Sequence, residues 1–247
     1  MEDRILRGEC SAVMQQLPAA CARLIIADPP YFQVLTDQAW DMQWPSIDAY
    51  LEWSACWMEA AVRLLLPGGL LYCFGQLGKR EHAMLHLMAQ ATRTWQFHDL
   101  IIWDRVVGYN DRRDSFTPAY EMILVLRQEG EVYFDKDAVR EPYDAATIAH
   151  YVKDKRYKDK AARLAHLHSG KYATNVWRIP SLKGASKEKV GHPSQKPRAL
   201  IERIIRSSSA PGDLIIDPFL GSGTTAVVAE ACGRRWLGIE VSEEYAT

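Results

Sequence analysis

Short apolar runs separated by longer amphipathic stretches set the frame of this chain. Residues 23–27 (Arg-Leu-Ile-Ile-Ala) are branched and apolar after the arginine, the composition of a strand buried on both faces. Downstream, Ser46 offers an N-cap and Asp48 suits a first helical turn, while Ile47, Tyr50, Leu51, Ser54, Met58, Ala61, Val62 and Leu65 recur at helical spacing. Pro67-Gly68-Gly69 is expected to stop that helix. Residues 70–74 predict the next strand, 79–91 the next helix, and 100–103 and 120–126 two further strands. Such alternation predicts an α/β fold built on a doubly wound, Rossmann-like sheet.

After residue 129 the periodicity weakens. Between 151 and 171 seven Lys/Arg (Lys153, Lys155, Arg156, Lys158, Lys160, Arg163, Lys171) face only Asp154 and Asp159. We expect residues 130–190 to be an insertion rather than sheet core. Regular order returns at Pro197, which can open a helix through Ile201, Ile204 and Ile205. Pro211-Gly212-Asp213 then turns into a strand at 214–216, Gly221-Ser222-Gly223 leads into a helix closed by Gly233, and 236–241 is a last strand. A nucleotide-binding half beginning at Leu214 would need further βα units after 236–241, so its sheet partners are expected from the N-terminal half.

Composition narrows the class without naming it. A chain of 247 residues with 48% hydrophobic and 25% charged positions can bury one large core. Its formal net charge of −1 gives no global nucleic-acid signature, so any polyanion must meet a local patch. Cys10, Cys21, Cys56, Cys73 and Cys232 form no C-x-x-C pair, which argues against a zinc knuckle or disulfide framework, and no metal is expected. There is no apolar leader and no apolar stretch near the roughly 18 residues of a membrane span, so a cytoplasmic protein is expected.

Two corners carry the chemistry. Asp28-Pro29-Pro30-Tyr31 follows the strand at 23–27 directly, and Asp217-Pro218-Phe219-Leu220-Gly221-Ser222-Gly223-Thr224 follows the strand at 214–216. Ligands of open α/β sheets gather at the carboxyl ends of strands, so the two acid-plus-proline corners should face one rim. Glycines let a backbone approach a ligand closely, and a helix N-terminus presents free N–H groups to an anion. Glu240, at the end of the last predicted strand, can accept hydrogen bonds from ribose hydroxyls. Gly221 to Ala226 also satisfies G-x-G-x-x-[GA], so a nicotinamide-dependent oxidoreductase competes. At the first corner, an acid, a carbonyl lacking a competing N–H and an aromatic face can hold a flat, amino-bearing ring.

With these motifs the chain resembles the S-adenosylmethionine-dependent DNA amino-methyltransferases in the permuted, β-class arrangement. The likeness spans almost the whole chain. It includes Gly8-Glu9-Cys10, Asp28 to Tyr31, Trp40-Asp41, Pro67-Gly68-Gly69, Trp103-Asp104-Arg105, Arg112-Arg113 with Tyr120-Glu121, Asn175-Val176-Trp177, His192-Pro193-Ser194-Gln195-Lys196-Pro197 and the glycine loop. It departs at Glu9, where the family commonly has Asp, and at Tyr120, often His.

The resemblance implies a class I methyltransferase fold, circularly permuted and mixed, with a catalytic half at 1–129, a target-recognition insertion at 130–190 and a cofactor-binding half at 191–247. Gly8, Glu9, Cys10, Asp28, His192, Lys196, Asp217, Pro218, Phe219, Gly221, Ser222, Gly223, Thr224 and Glu240 would line the S-adenosylmethionine pocket. Asp28, Pro29, Pro30 and Tyr31 would be catalytic: the Asp28 side chain and Pro29 carbonyl accept both amine hydrogens, and Tyr31 stacks on the flipped base. Arg112, Arg113, Lys153, Lys155, Arg156 and Lys158 would bind double-stranded DNA, with Tyr151, Tyr157 or His168 near bases. Asp rather than Ser at position 28 leans towards N6 of adenine, with N4 of cytosine the alternative. A catalytically silent DNA binder and an RNA enzyme are further alternatives. Members of the family often dimerise, and a companion restriction enzyme fits the same resemblance.

Overall fold

The apolar runs fold as strands of one sheet. The computed structural model describes residues 3–35, 37–78, 81–109 and 113–246. In chain order its elements are β1 (Arg4–Arg7), α1 (Cys10–Gln15), β2 (Ala22–Ala27), α2 (Ile47–Leu64), β3 (Leu65–Gly75), α3 (Ala83–Thr94), β4 (Gln96–Asp104), β5 (Tyr120–Arg127), α4 (Ala145–Val152), α5 (Lys160–His168), β6 (Val176–Arg178), α6 (Arg198–Ser208), β7 (Leu214–Asp217), α7 (Thr224–Ala231) and β8 (Arg235–Glu240). The sheet runs β1-β8-β7-β2-β3-β5-β4-β6. Among the described residues only β5 is antiparallel, against both β3 and β4.

Alternate residues of each central strand feed two cores. On one face Ile25, Ala27, Leu71, Cys73 and Leu124 pack beneath α1, α2 and α3 through Met14, Trp57, Met58 and Leu87. On the other, Leu24, Ile26, Tyr72, Ile123, Val125 and Ile215 meet Leu200, Ile204 and Ile205 of α6 and Val228 and Ala229 of α7. Burial on both faces is why these strands read as continuous apolar runs. Each fully buried large side chain contributes roughly 1.5–3 kcal/mol, and Trp57, Met58 and Leu64 of α2 are all 0% exposed. Ser46 caps α2 as its sequence suggests, accepting from the Ala49 N–H.

Four local expectations change. Pro67-Gly68-Gly69 does not stop α2, which ends at Leu64 when Leu65 turns extended. The three residues lie within β3, where the partner of β2 jumps from Leu65 opposite Ala22 to Leu70 opposite Leu24. Gly68, at φ 70°, carries the bulge past the Glu131 carbonyl, with which a Cβ would collide. The helix expected over 79–91 runs Ala83–Thr94, residues 79 and 80 lying outside the described set. The span expected as an insertion outside the sheet contributes β6, which pairs with the edge of β4. Finally, β1 and α1 were not anticipated; β1 is only four residues long and is recruited by pairing with β8.

Candidate active site

The site lies where the chain leaves two neighbouring parallel strands in opposite directions. β2 and β7 pair through Leu24 with Ile215 and Ile25 with Ile216. The helix that follows β2 packs on one face of the sheet and the helix that follows β7 packs on the other. Such a switch point opens a crevice at the carboxyl ends of the strands. Here it is a cleft of about 920 Å³ lined by both corners, Asp28 to Tyr31 and Asp217 to Ser222, with the Glu9 and Glu240 regions along one side.

On the β7 side, the Asp217 carboxylate accepts the Phe219 N–H at 2.9 Å and so bends the chain into the glycine loop. Burial pushes Asp217 up to about 7, against the lowering effect of the Thr225 hydroxyl and the Phe219 N–H. Gly221 takes φ 49°, and a Cβ there would meet the His192 ring. The Gly221 N–H donates to Glu240 Oε2 at 2.8 Å and the Ser242 N–H to Oε1 at 2.7 Å, which fixes the carboxylate at the rim of the cleft. Phe219 packs against Trp53 and Trp57 at ring separations of 5.9 and 5.2 Å. His192 stacks on Trp40 at 6.1 Å and meets Tyr245 edge-on at 4.7 Å. Burial holds the His192 imidazole below its ordinary range.

Glu9 also has a structural role. Its Oε2 caps α1 by accepting the Ala12 N–H at 2.8 Å, while the Cys10 thiol donates to Oε1 at 3.2 Å. Burial would raise Glu9, but these donors outweigh it and leave the carboxyl below its ordinary range. The cleft therefore offers a glycine loop at a helix start, a ribose-competent carboxylate, aromatic and apolar walls and several acids around a cationic centre. That donor set fits S-adenosylmethionine. Of the expected cofactor residues only Gly223 is absent from the cleft lining; it is the N-cap of α7, and its φ of 73° serves the turn.

On the β2 side the acids are tied into a network. The Tyr31 hydroxyl donates to Asp28 Oδ1 at 2.7 Å, and the Lys196 ammonium lies 2.6 Å from Asp28 Oδ2. Glu121, 3% exposed at the start of β5, stands behind them: its Oε2 lies 3.2 Å from the Tyr31 hydroxyl and 3.6 Å from Lys196 Nζ. Its Oε1 takes the Arg105 guanidinium at 3.1 Å and the Gln76 amide at 3.0 Å. Asp41 braces the corner by accepting the Tyr31 and Leu35 N–H groups at 2.7 and 2.9 Å, and burial raises it to about 6. Tyr31 is thus fastened by its hydroxyl within the acid cluster, where burial and the carboxylates raise its pKa.

Lys196, expected on the cofactor side, lines the cleft but spends its ammonium on the Asp28 corner. Burial would lower its pKa, but the Asp28 and Glu121 charges outweigh this and hold it up.

The described residues among those expected at DNA are separate from this cleft. Arg112 falls outside the described residues, and Arg113 is exposed. Lys153, Lys155, Arg156 and Lys158 are exposed around the end of α4, and none lines the cleft. Arg156 pairs with Asp154 at 2.7 Å, and Arg163 lies over the Tyr151 and Tyr157 rings at 5.4 and 4.1 Å.

Sequence patterning gave no role to Glu121, Gln76, Arg105 or Asp41. The resemblance includes Asp41, Arg105 and Glu121 without giving them a role, and in the patterning Glu121 shows as a lone acid heading the apolar run Met122-Ile123-Leu124-Val125-Leu126.

Residues 22–247 match the model of a DNA methylase family. The chain is 30% identical over 248 residues to the type II methyltransferase M1.MboII of Moraxella bovis, a likeness covering 98% of this chain and 93% of that protein. It is 31% identical over 247 residues to the DNA adenine methyltransferase YhdJ of Escherichia coli (strain K12), covering 98% and 79%. Among solved structures it is similar to the TTHA0409 protein of Thermus thermophilus complexed with S-adenosyl-L-methionine (TM-score 0.63, 23% identity, 98% and 91% covered). It is also similar to the cytosine-N4-specific PvuII DNA methyltransferase (TM-score 0.72, 17% identity, 98% and 83% covered). At these identities the two structures speak for a shared fold.

Proposed function

The chain belongs to the DNA methylase family, and from that premise we propose that it methylates the exocyclic N6 of an adenine flipped out of double-stranded DNA. Its sheet is the class I methyltransferase fold, it is a DNA methyltransferase, and its methyl donor is S-adenosylmethionine. The family match leaves no place for the nicotinamide alternative. The observation that supports the proposal is the pairing of β2 with β7, which brings the Asp28 and Asp217 corners onto one cleft.

S-adenosylmethionine supplies a methyl group made electrophilic by its sulfonium. Asp217, Phe219, Gly221, Ser222 and Glu240 hold it. The amine lone pair of adenine is delocalised into the ring, so the protein must localise it. Asp28 and the Pro29 carbonyl do so by accepting the two N–H hydrogens, drawing the nitrogen towards tetrahedral geometry. Placing the two reactants side by side supplies much of the remaining advantage. Extruding the base costs a few kcal/mol, and the Tyr31 ring offsets part of that by packing on it; aromatic stacking of a base is worth roughly 1–3 kcal/mol.

Adenine is preferred over cytosine because position 28 is Asp and because YhdJ, 31% identical, is a DNA adenine methyltransferase. The residues at 130–190 act as the target-recognition insertion, their exposed Lys153, Lys155 and Lys158 meeting phosphates. The same proposal places the chain in the cytoplasm, as a homodimer and alongside a companion restriction enzyme. Single-molecule sequencing of DNA from cells expressing the chain tests it: N6-methyladenine in one short context is expected, and N4-methylcytosine or unmodified DNA would refute it.

A further inference from the structure

Both oxygens of the catalytic carboxylate are engaged by donors of the chain itself. Asp28 Oδ1 accepts the Tyr31 hydroxyl at 2.7 Å and Oδ2 the Lys196 ammonium at 2.6 Å. An acceptor already matched by an ammonium pulls weakly on a neutral amine, because charge-assisted hydrogen bonds are the stronger ones. The base must therefore compete with Lys196 for the group that activates it.

A second acceptor is ready for the displaced donors. Glu121 Oε2 lies 3.2 Å from the Tyr31 hydroxyl and 3.6 Å from Lys196 Nζ. Its other oxygen is held by Arg105 and Gln76 at 3.1 and 3.0 Å, so the carboxylate does not swing. Both Tyr31 and Lys196 thus face two carboxylates, one at the base corner and one behind it. Bringing the ammonium to ordinary ion-pair distance from Glu121 takes a movement of roughly 1 Å. Asp28 and Glu121 balance Lys196 and Arg105, so the exchange moves no proton and leaves the buried charge matched. A buried carboxylate is costly unless it has such partners.

We propose that Glu121 is a positioning residue that takes over the Lys196 ammonium, and with it the Tyr31 hydroxyl, when the target base enters, freeing Asp28 to accept the amine hydrogens. This rests on the methyl-transfer function above and adds a gate to it. In this arrangement Lys196 occupies one oxygen of Asp28; with the base in place it stands on Glu121.

The test is a double-substitution cycle on the full chain, using a duplex that carries the sequence context found in expressing cells. Glu121→Gln keeps the side chain's shape but removes the charge that receives the ammonium. Single-turnover methylation at saturating DNA should fall about tenfold or more while the affinity for S-adenosylmethionine stays within about twofold. Lys196→Met removes the group that must be handed over, so the Glu121→Gln/Lys196→Met pair should be several-fold faster than Glu121→Gln alone. A purely structural Glu121 would make the pair slower still. A pair no faster than Glu121→Gln, or Glu121→Gln within about twofold of wild type, overturns the proposal.

A structure of the duplex complex gives an independent readout: Lys196 Nζ closer to Glu121 than to Asp28 supports the exchange, and the reverse overturns it. If the unmodified chain methylated no DNA, the function would fall instead, before the cycle was run.

Discussion

Ile25 and Ile216 stand side by side in neighbouring parallel strands, three residues before Asp28 and one before Asp217. The two acids therefore leave the sheet at the same rim but serve different partners. Asp28 is bonded to Tyr31 and Lys196, whereas Asp217 shapes the glycine loop through the Phe219 N–H. Asp28→Ala should lower methyl transfer by about a hundredfold or more, the scale of losing one preorganised hydrogen-bonding group aimed at the reacting centre. Its dissociation constant for S-adenosylmethionine should stay within about threefold of wild type, since the loop is untouched. Filter-binding methylation and calorimetry check the two halves separately; wild-type turnover would remove Asp28 from the chemistry.

Both corners were legible in the sequence because their chemistry is local. An acid and a proline directly after a branched apolar run mark a strand end wherever they occur. The Lys196–Asp28 contact joins residues 168 apart, and no periodicity reports it. The role of Glu121 was equally hidden, since a strand that buries both faces offers no alternation against which an inward acid stands out. Pro67-Gly68-Gly69 misled for another reason. The same three residue types end helices and bulge strands, and only the packing of Gly68 beside Glu131 decides between them. β6 was missed because three residues, with only Trp177 buried, carry too little pattern to rise above the surrounding loop.

Asp217 makes the stability of the ligand-free protein fall as pH rises. Its folded pKa is lifted to about 7, chiefly by burial, whereas an unfolded Asp titrates near about 3.9. Between those values the folded chain keeps a proton that the unfolded chain has released. The contribution is fully present at low pH and is lost as pH climbs through the folded value, at up to about 1.4 kcal/mol per pH unit. Asp41, lifted to about 6, acts with the same sign over a narrower window. Asp217→Asn should flatten the profile. Urea midpoints at about pH 5 and about pH 7.5 for both proteins measure this, and parallel profiles would contradict the assignment.

Phe219 links cofactor binding to the core. Its ring is edge-on to Trp57 at 5.2 Å and tilted against Trp53 at 5.9 Å, so it ties the glycine loop to α2. Phe219→Ala should cost about 2 kcal/mol of stability, less than a fully buried phenylalanine because the side chain is only partly buried. The affinity for S-adenosylmethionine should fall about tenfold, since the loop loses its anchor as well as its aromatic wall. Thermal unfolding with and without the cofactor tests both; a large loss of affinity with an unchanged melting temperature would show that the ring touches only the ligand.

The basic stretch should reveal itself through salt. Lys153, Lys155 and Lys158 are exposed and reach no acid in the described structure, whereas Arg156 already neutralises Asp154 through a 2.7 Å bridge. A lysine that neutralises one phosphate adds about 0.9 to the slope of log affinity against log salt. Lys155→Ala with Lys158→Ala should therefore reduce that slope by about 2. Arg156→Ala alone should change it much less, because removing the guanidinium also frees the Asp154 charge. Affinity for S-adenosylmethionine should not move, as none of these side chains lines the cleft. Anisotropy titrations of a labelled duplex at several salt concentrations give the slopes directly, and equal slopes for wild type and the double variant would place the DNA phosphates on another surface.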